Sequence, residues 1–142
     1  MDAATDLTMR YLADRDGLSS TASQVLNRVH RQGPMRLTTL AVLEGTSQPS
    51  MTQLVKRLES QELLQRLSDP GDGRAALVGL TEAGRELLAR RTAGRRKRLD
   101  HLLATLSSDE QAALQLAAHV SGPILKRLFE IASQDSSHGG VE

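Results

Sequence analysis

Between positions 69 and 74 the chain reads Asp69-Pro70-Gly71-Asp72-Gly73-Arg74, with short apolar-containing runs on either side at 63–68 and 75–80. Proline presets φ for a tight turn, glycine supplies left-handed conformations and aspartate bonds its own backbone. Such a cluster between two short runs predicts a β-hairpin. The segments around it follow a helical period instead, so the hairpin is a small β element inside a mostly α chain.

On the N-terminal side, residues 7–13 read as a short helical stretch broken near Asp16-Gly17. Ser19 or Ser20 then caps a helix whose Ala22, Val25, Leu26 and Val29 repeat at i, i+3, i+4 and i+7, until Gly33-Pro34 ends it. A brief extended piece at 35–37 precedes a short helix at 38–44, which stops at Gly45. Ser47 caps the next helix, with Pro49 in its first turn, and that helix runs to about Gln61. Met51, Leu54 and Leu58 share one of its faces, with Val55 at the edge. Pro49, Thr52, Gln53 and Lys56 lie opposite, flanked by Gln48 and Arg57. A polar, uncharged-to-basic face of this kind suits base edges.

Beyond the hairpin, Thr81 caps a long helix that reaches about Leu106 and carries Leu88, Leu99, Leu102, Leu103 and Leu106 on or near one stripe. Ser107 and Glu110 form a capping-box pattern. The last helix extends to about Ala132 with Leu114, Ala117, Ile124, Leu128 and Ile131, and Gly122-Pro123 is expected to kink it. From Ser133 the chain is Ser/Gly-rich and reads as a disordered tail.

Two helices around Glu44-Gly45-Thr46-Ser47, followed at once by a hairpin, give the order of a winged helix-turn-helix. A helix fits the major groove of duplex DNA, where each base pair shows a distinct donor and acceptor pattern. A basic hairpin tip can reach the adjacent minor groove, whose narrow A·T stretches attract arginine.

Composition removes most alternatives. Apolar residues make up 39% of the 142, yet there is one Phe, one Tyr and no Trp, so the core must be aliphatic and little material is left for an aromatic ligand cage. With no Cys, disulfides and thiolate metal sites are excluded. His30, His101, His119 and His138 stand at unrelated spacings, so no metal and no cofactor is expected. No Gly-x-Ser-x-Gly elbow or phosphate-cradling glycine loop occurs, and the chain does not read as an enzyme. No apolar run reaches a membrane span, and the acidic start lacks the parts of a signal peptide, so a soluble cytoplasmic protein with no membrane partner is expected. Net charge is only +1, but residues 85–98 hold seven basic side chains against Glu86, a local +6. That run reads equally as a solvated helix face and as a phosphate-attracting one.

The stretches Glu44-Gly45-Thr46-Ser47-Gln48-Pro49-Ser50-Met51-Thr52, Leu63-Leu64-Gln65-Arg66, Asp69 to Arg74 and Leu80-Thr81-Glu82-Ala83-Gly84 together resemble the signature of the MarR (multiple-antibiotic-resistance) regulators. The resemblance is close over residues 18–84 and rests on arrangement alone for the later helices. It implies a ligand-responsive, DNA-binding transcriptional regulator, a repressor acting as a homodimer on a palindromic operator. It also implies that Arg74 enters the minor groove while Asp72 orients it, and that Arg66 contacts the DNA backbone or braces the wing. Thr52, Gln53, Lys56 and Arg57 fall at major-groove and phosphate positions, and Ser47, Gln48 and Ser50 complete the expected DNA-binding set. Effectors of the family are often phenolic or lipophilic; this sequence identifies no ligand-binding residues.

The implied fold is mostly α with a small β-wing, a winged helix-turn-helix flanked by terminal dimerisation helices. A single domain would cover 1–142: dimerisation helices at 1–32 and 107–132, the winged helix-turn-helix at 33–82, a connecting helix at 82–106 and a disordered tail at 133–142. Glu62 departs from the family by standing where a helix-ending Gly is common. Arg36 replaces a common Ser/Thr cap, and the segment before Ser19 is short. The alternative function is a winged-helix protein-interaction module that does not bind DNA, against which a basic wing tip argues.

Overall fold

The computed structural model describes residues 6–7, 12–13 and 17–138, with backbone alone for 72–75 and 133–138. The helical stretch expected at 7–13 therefore lies largely outside the described residues. The chain divides between Arg95 and Arg96 into two compact units.

In the first unit, the Ser19 side chain accepts the Ala22 amide at 3.2 Å and starts α1 (Ser20–Gln32). Gly33 ends it at φ 83°, its N–H reaching the Val29 carbonyl at 3.0 Å. The inward face is the predicted one, Ala22, Val25, Leu26 and Val29. β1 (Met35–Arg36) leads into α2 (Leu37–Leu43), and the turn at Gly45 carries the chain into α3 (Gln48–Ser60). There the left-handed backbone at φ 59° suits a residue without Cβ.

β2 (Leu64–Asp69) and β3 (Asp72–Leu80) form the expected hairpin, and β1 adds to its other side, giving an antiparallel sheet of order β1-β3-β2. Met35 lies opposite Val78, and Leu64 opposite Leu80. The turn proper is only Pro70-Gly71, because the Asp69 carboxylate accepts the Gly71 amide at 2.9 Å and closes the loop early. From Ser68↔Ala76 the register then jumps to Asp69↔Asp72, so residues 73–75 are looped out of the ladder.

Val25, Leu26, Leu40, Met51, Val55, Leu58 and Val78 are fully buried, the aliphatic core that the composition requires. Each such side chain stabilises the fold by about 1.5–3 kcal/mol relative to exposure. α4 (Glu82–Leu103) seals this core with Leu88 before crossing into the second unit.

In the second unit α4 ends at Leu103, three residues before the expected Leu106, because the chain tightens there into i→i+3 bonds from Thr105 and Leu106. The capping box forms: Ser107 Oγ accepts the Glu110 amide at 3.3 Å and Glu110 Oε2 accepts the Ser107 amide at 2.8 Å. The hydrogen bond from the Ser107 backbone amide, followed by one from the Ser107 side chain, favours the charged carboxylate and holds Glu110 below its ordinary pKa.

α5 (Ser108–His138) runs unbroken across Pro123 and extends past the expected end near Ala132, since 133–138 contains no Gly or Pro to stop it. Its apolar side chains, among them Leu116, Val120, Ile124, Leu128 and Phe129, are exposed, Phe129 at 77%. Among the described residues, no helix is long and apolar enough to cross a membrane.

Candidate nucleic-acid interface

α3 owes its start to Ser47, whose Oγ accepts the Ser50 amide at 3.3 Å while its hydroxyl donates to Ser50 Oγ at 2.9 Å. Pro49 costs nothing in this first turn, where its missing N–H would lack an intrahelical partner anyway. Met51, Val55 and Leu58 anchor one face in the core. Gln48, Pro49, Ser50, Gln53, Lys56 and Arg57 are exposed on the rest of the helix, and Thr52 is half-buried at its edge. The Thr52 hydroxyl donates to the Gln48 carbonyl at 2.8 Å and is thereby used internally. No described residue engages the side chains of Gln48, Gln53 or Lys56, which leaves their polar groups to solvent or a ligand. Ser50, Gln53, Leu54 and Arg57 line a shallow, open depression of about 360 Å³.

Three ion pairs hold this helix and the hairpin in place. Arg28 of α1 pairs with Glu44 and also donates to the Leu43 carbonyl at 3.3 Å, fixing the turn before α3. The Glu44 side chain is only 6% exposed, so the pair works where solvent screens it little. Arg66 of β2 donates to Glu59 of α3 at 2.7 Å. Arg36, the N-cap of α2, makes no capping bond with its side chain; it reaches Asp69, beside the turn of the wing, at 2.8 Å. The absent Ser/Thr cap thus exchanges a local bond for a tie between β1 and the wing.

Leu80-Thr81-Glu82-Ala83-Gly84 has a structural logic that its spacing encodes. Glu62 leaves α3 at φ 58°, a left-handed conformation in a residue with a Cβ, and its carbonyl accepts the Thr81 hydroxyl. Thr81 Oγ1 in turn accepts the Gly84 amide at 3.0 Å and caps α4. A Cβ on Gly84 would lie 2.3 Å from the Leu63 carbonyl oxygen, so only glycine lets α4 approach this closely.

Asp72 and Arg74 lie within β3 at the wing, and their side chains fall outside the described residues. The basic run at 85–98 is not one charged face. Arg85 pairs with Glu82 at 3.2 Å and Arg90 with Glu86 at 3.6 Å. Arg91 turns inward and donates to Ser23 of α1 at 2.9 Å. Sequence reasoning missed Glu59, Asp69, Arg28 and Glu44 as braces, since partners on different elements leave no periodic signal. Among the described residues no group of three His, Asp or Glu side chains could hold a metal ion.

A model of the MarR family matches residues 18–76. An uncharacterized HTH-type transcriptional regulator of Mycobacterium bovis is 31% identical over 110 residues, 78% of this chain and 77% of that protein. The HTH-type transcriptional repressor NicR of Pseudomonas putida is 30% identical over 97 residues, 68% of this chain and 61% of that one. A transcriptional regulator of Thermotoga maritima of known structure superposes with a TM-score of 0.73 at 25% identity, over 88% of this chain and 85% of that one.

Proposed function

Because the chain belongs to the MarR family of transcriptional regulators, we propose that it is a homodimeric, ligand-responsive repressor acting on a palindromic operator. Membership makes it a DNA-binding regulator and not an enzyme. The outward face of α3 carries the proposal: one side of the helix is locked in the core while Gln53, Lys56 and Arg57 stand exposed on the other. Ser47, Gln48, Ser50, Thr52, Gln53, Lys56 and Arg57 form the major-groove and phosphate surface. Arg74 enters the minor groove, Asp72 orients it, and Arg66 braces the wing through Glu59.

Dimerisation is supported by α5, whose exposed Leu116, Val120, Ile124 and Leu128 need a partner to leave water. An isologous contact closes with twofold symmetry, and a palindromic operator mirrors that symmetry with half-sites one turn of DNA, about 34 Å, or a small multiple of it apart. Repression is supported by the likeness to NicR, and response to a small molecule by the family's habit. Such a regulator works in the cytoplasm, on DNA.

Sedimentation of the protein alone and with duplex DNA tests this. A dimer that stays dimeric on DNA, and that Leu128→Asp or Ile131→Asp splits into weakly binding monomers, is the expected result. A monomer at micromolar concentration contradicts it.

A further inference from the structure

Gln53 is the side chain best placed to choose a base. With about 100° between successive helical residues, it lies in the middle of the exposed arc of α3, with Pro49 and Lys56 to one side and Ser50 and Arg57 to the other. It also sits in the second turn, in the N-terminal part that a recognition helix presents to base edges. Its amide is unengaged among the described residues, whereas the hydroxyl of neighbouring Thr52 is already donated to the Gln48 carbonyl.

The chemistry of that amide is selective. A carboxamide offers one acceptor and one donor side by side, which matches adenine, whose N6 amino group donates and whose N7 accepts. Guanine shows two acceptors in the same positions, N7 and O6, and leaves the glutamine oxygen facing an acceptor. Pro49, one turn earlier on the same face, presents an apolar ring suited to the 5-methyl group of thymine. Thr52, with its hydrogen spent, adds a methyl group and no donor.

We propose that each operator half-site carries an A·T pair read by Gln53 through the major-groove edge of adenine. This rests on the DNA-binding reading above and goes beyond it by naming the base. Lys56 and Arg57, which carry donors only, serve guanine or phosphate and cannot supply the same preference.

Selection of bound sequences from random duplex DNA, run on the parent protein, Gln53→Ala and Gln53→Arg, tests the proposal. The parent should enrich adenine at one position in each of two symmetry-related half-sites. Gln53→Ala should lose discrimination there by about 10- to 100-fold and keep the rest of the site. Gln53→Arg should move the preference to guanine, a change of letter that a purely structural role cannot produce. Enriched sites without that adenine, or with the adenine retained in Gln53→Ala, overturn the proposal while salt-dependent duplex binding stands. A parent protein that enriches nothing and binds no duplex overturns both readings. Gln53 is exposed, so both variants should unfold at the parent's temperature.

Discussion

Arg66 of β2 donates its Nε to the Glu59 carboxylate across 2.7 Å and so joins the first wing strand to the end of α3. The two side chains are 39% and 24% exposed, which limits the pair to at most about 1 kcal/mol of stability. Its consequence is directional: the pair ties the first wing strand to α3. On the reading of Arg66 as a wing brace, the guanidinium positions the strand and neutralises no phosphate.

Arg66→Ala should therefore weaken duplex binding while leaving its salt dependence unchanged. Titrations at several salt concentrations measure this. A log–log slope that falls by about 0.9 would instead mean that Arg66 contacts a phosphate.

Gly84→Ala should destabilise the protein by about 1–3 kcal/mol, because the new methyl group meets the Leu63 carbonyl oxygen and backbone must move. Denaturant unfolding reads the change. A variant as stable as its parent would show that α4 does not pack this closely against the end of α3.

Glu62→Gly should do the opposite. The residue sits at φ 58°, and relieving left-handed strain is worth about 1–2 kcal/mol, partly offset by the greater freedom of glycine when unfolded. Thermal unfolding should rise by about 2–4 °C per kcal/mol gained. A lower midpoint would locate the value of this residue in its side chain.

These two positions also show how far the sequence could be read. The hairpin was legible because Asp69, Pro70 and Gly71 carry turn chemistry locally, and α3 because Ser47 and the Met51 and Leu58 spacing are local too, although Val55, read as the edge of that face, is fully buried and Leu54 only half-buried. The Glu62 departure was visible as the residue standing where a glycine is common. What it costs and why Gly84 must be glycine were not, since both depend on Leu63 and Thr81 meeting in space. Arg91 looked like one more member of a basic run, and only burial against Ser23 separates it from its neighbours. The looped-out residues 73–75 escaped for the same reason, as strand register is decided between strands.

Glu110 gives a pH dependence with a definite sign. Its folded pKa is lowered from 4.5 by the bonds from Ser107, so its contribution is complete above 4.5 and is lost as pH falls through the depressed folded value. Acid titration of helicity should show this loss in the parent and not in Glu110→Gln. Identical acid profiles would mean that the capping box does not form in solution.

Affinity measured against salt tests most directly whether α3 and the wing meet duplex DNA. The dissociation constant of the protein for a duplex should rise linearly on a log–log plot, with a slope of about 0.9 for each phosphate neutralised. Arg74→Ala should weaken binding to operator and scrambled duplex alike. Absence of binding at the lowest salt, or an affinity indifferent to salt and to Arg74, would contradict the account and favour a winged-helix module that binds protein.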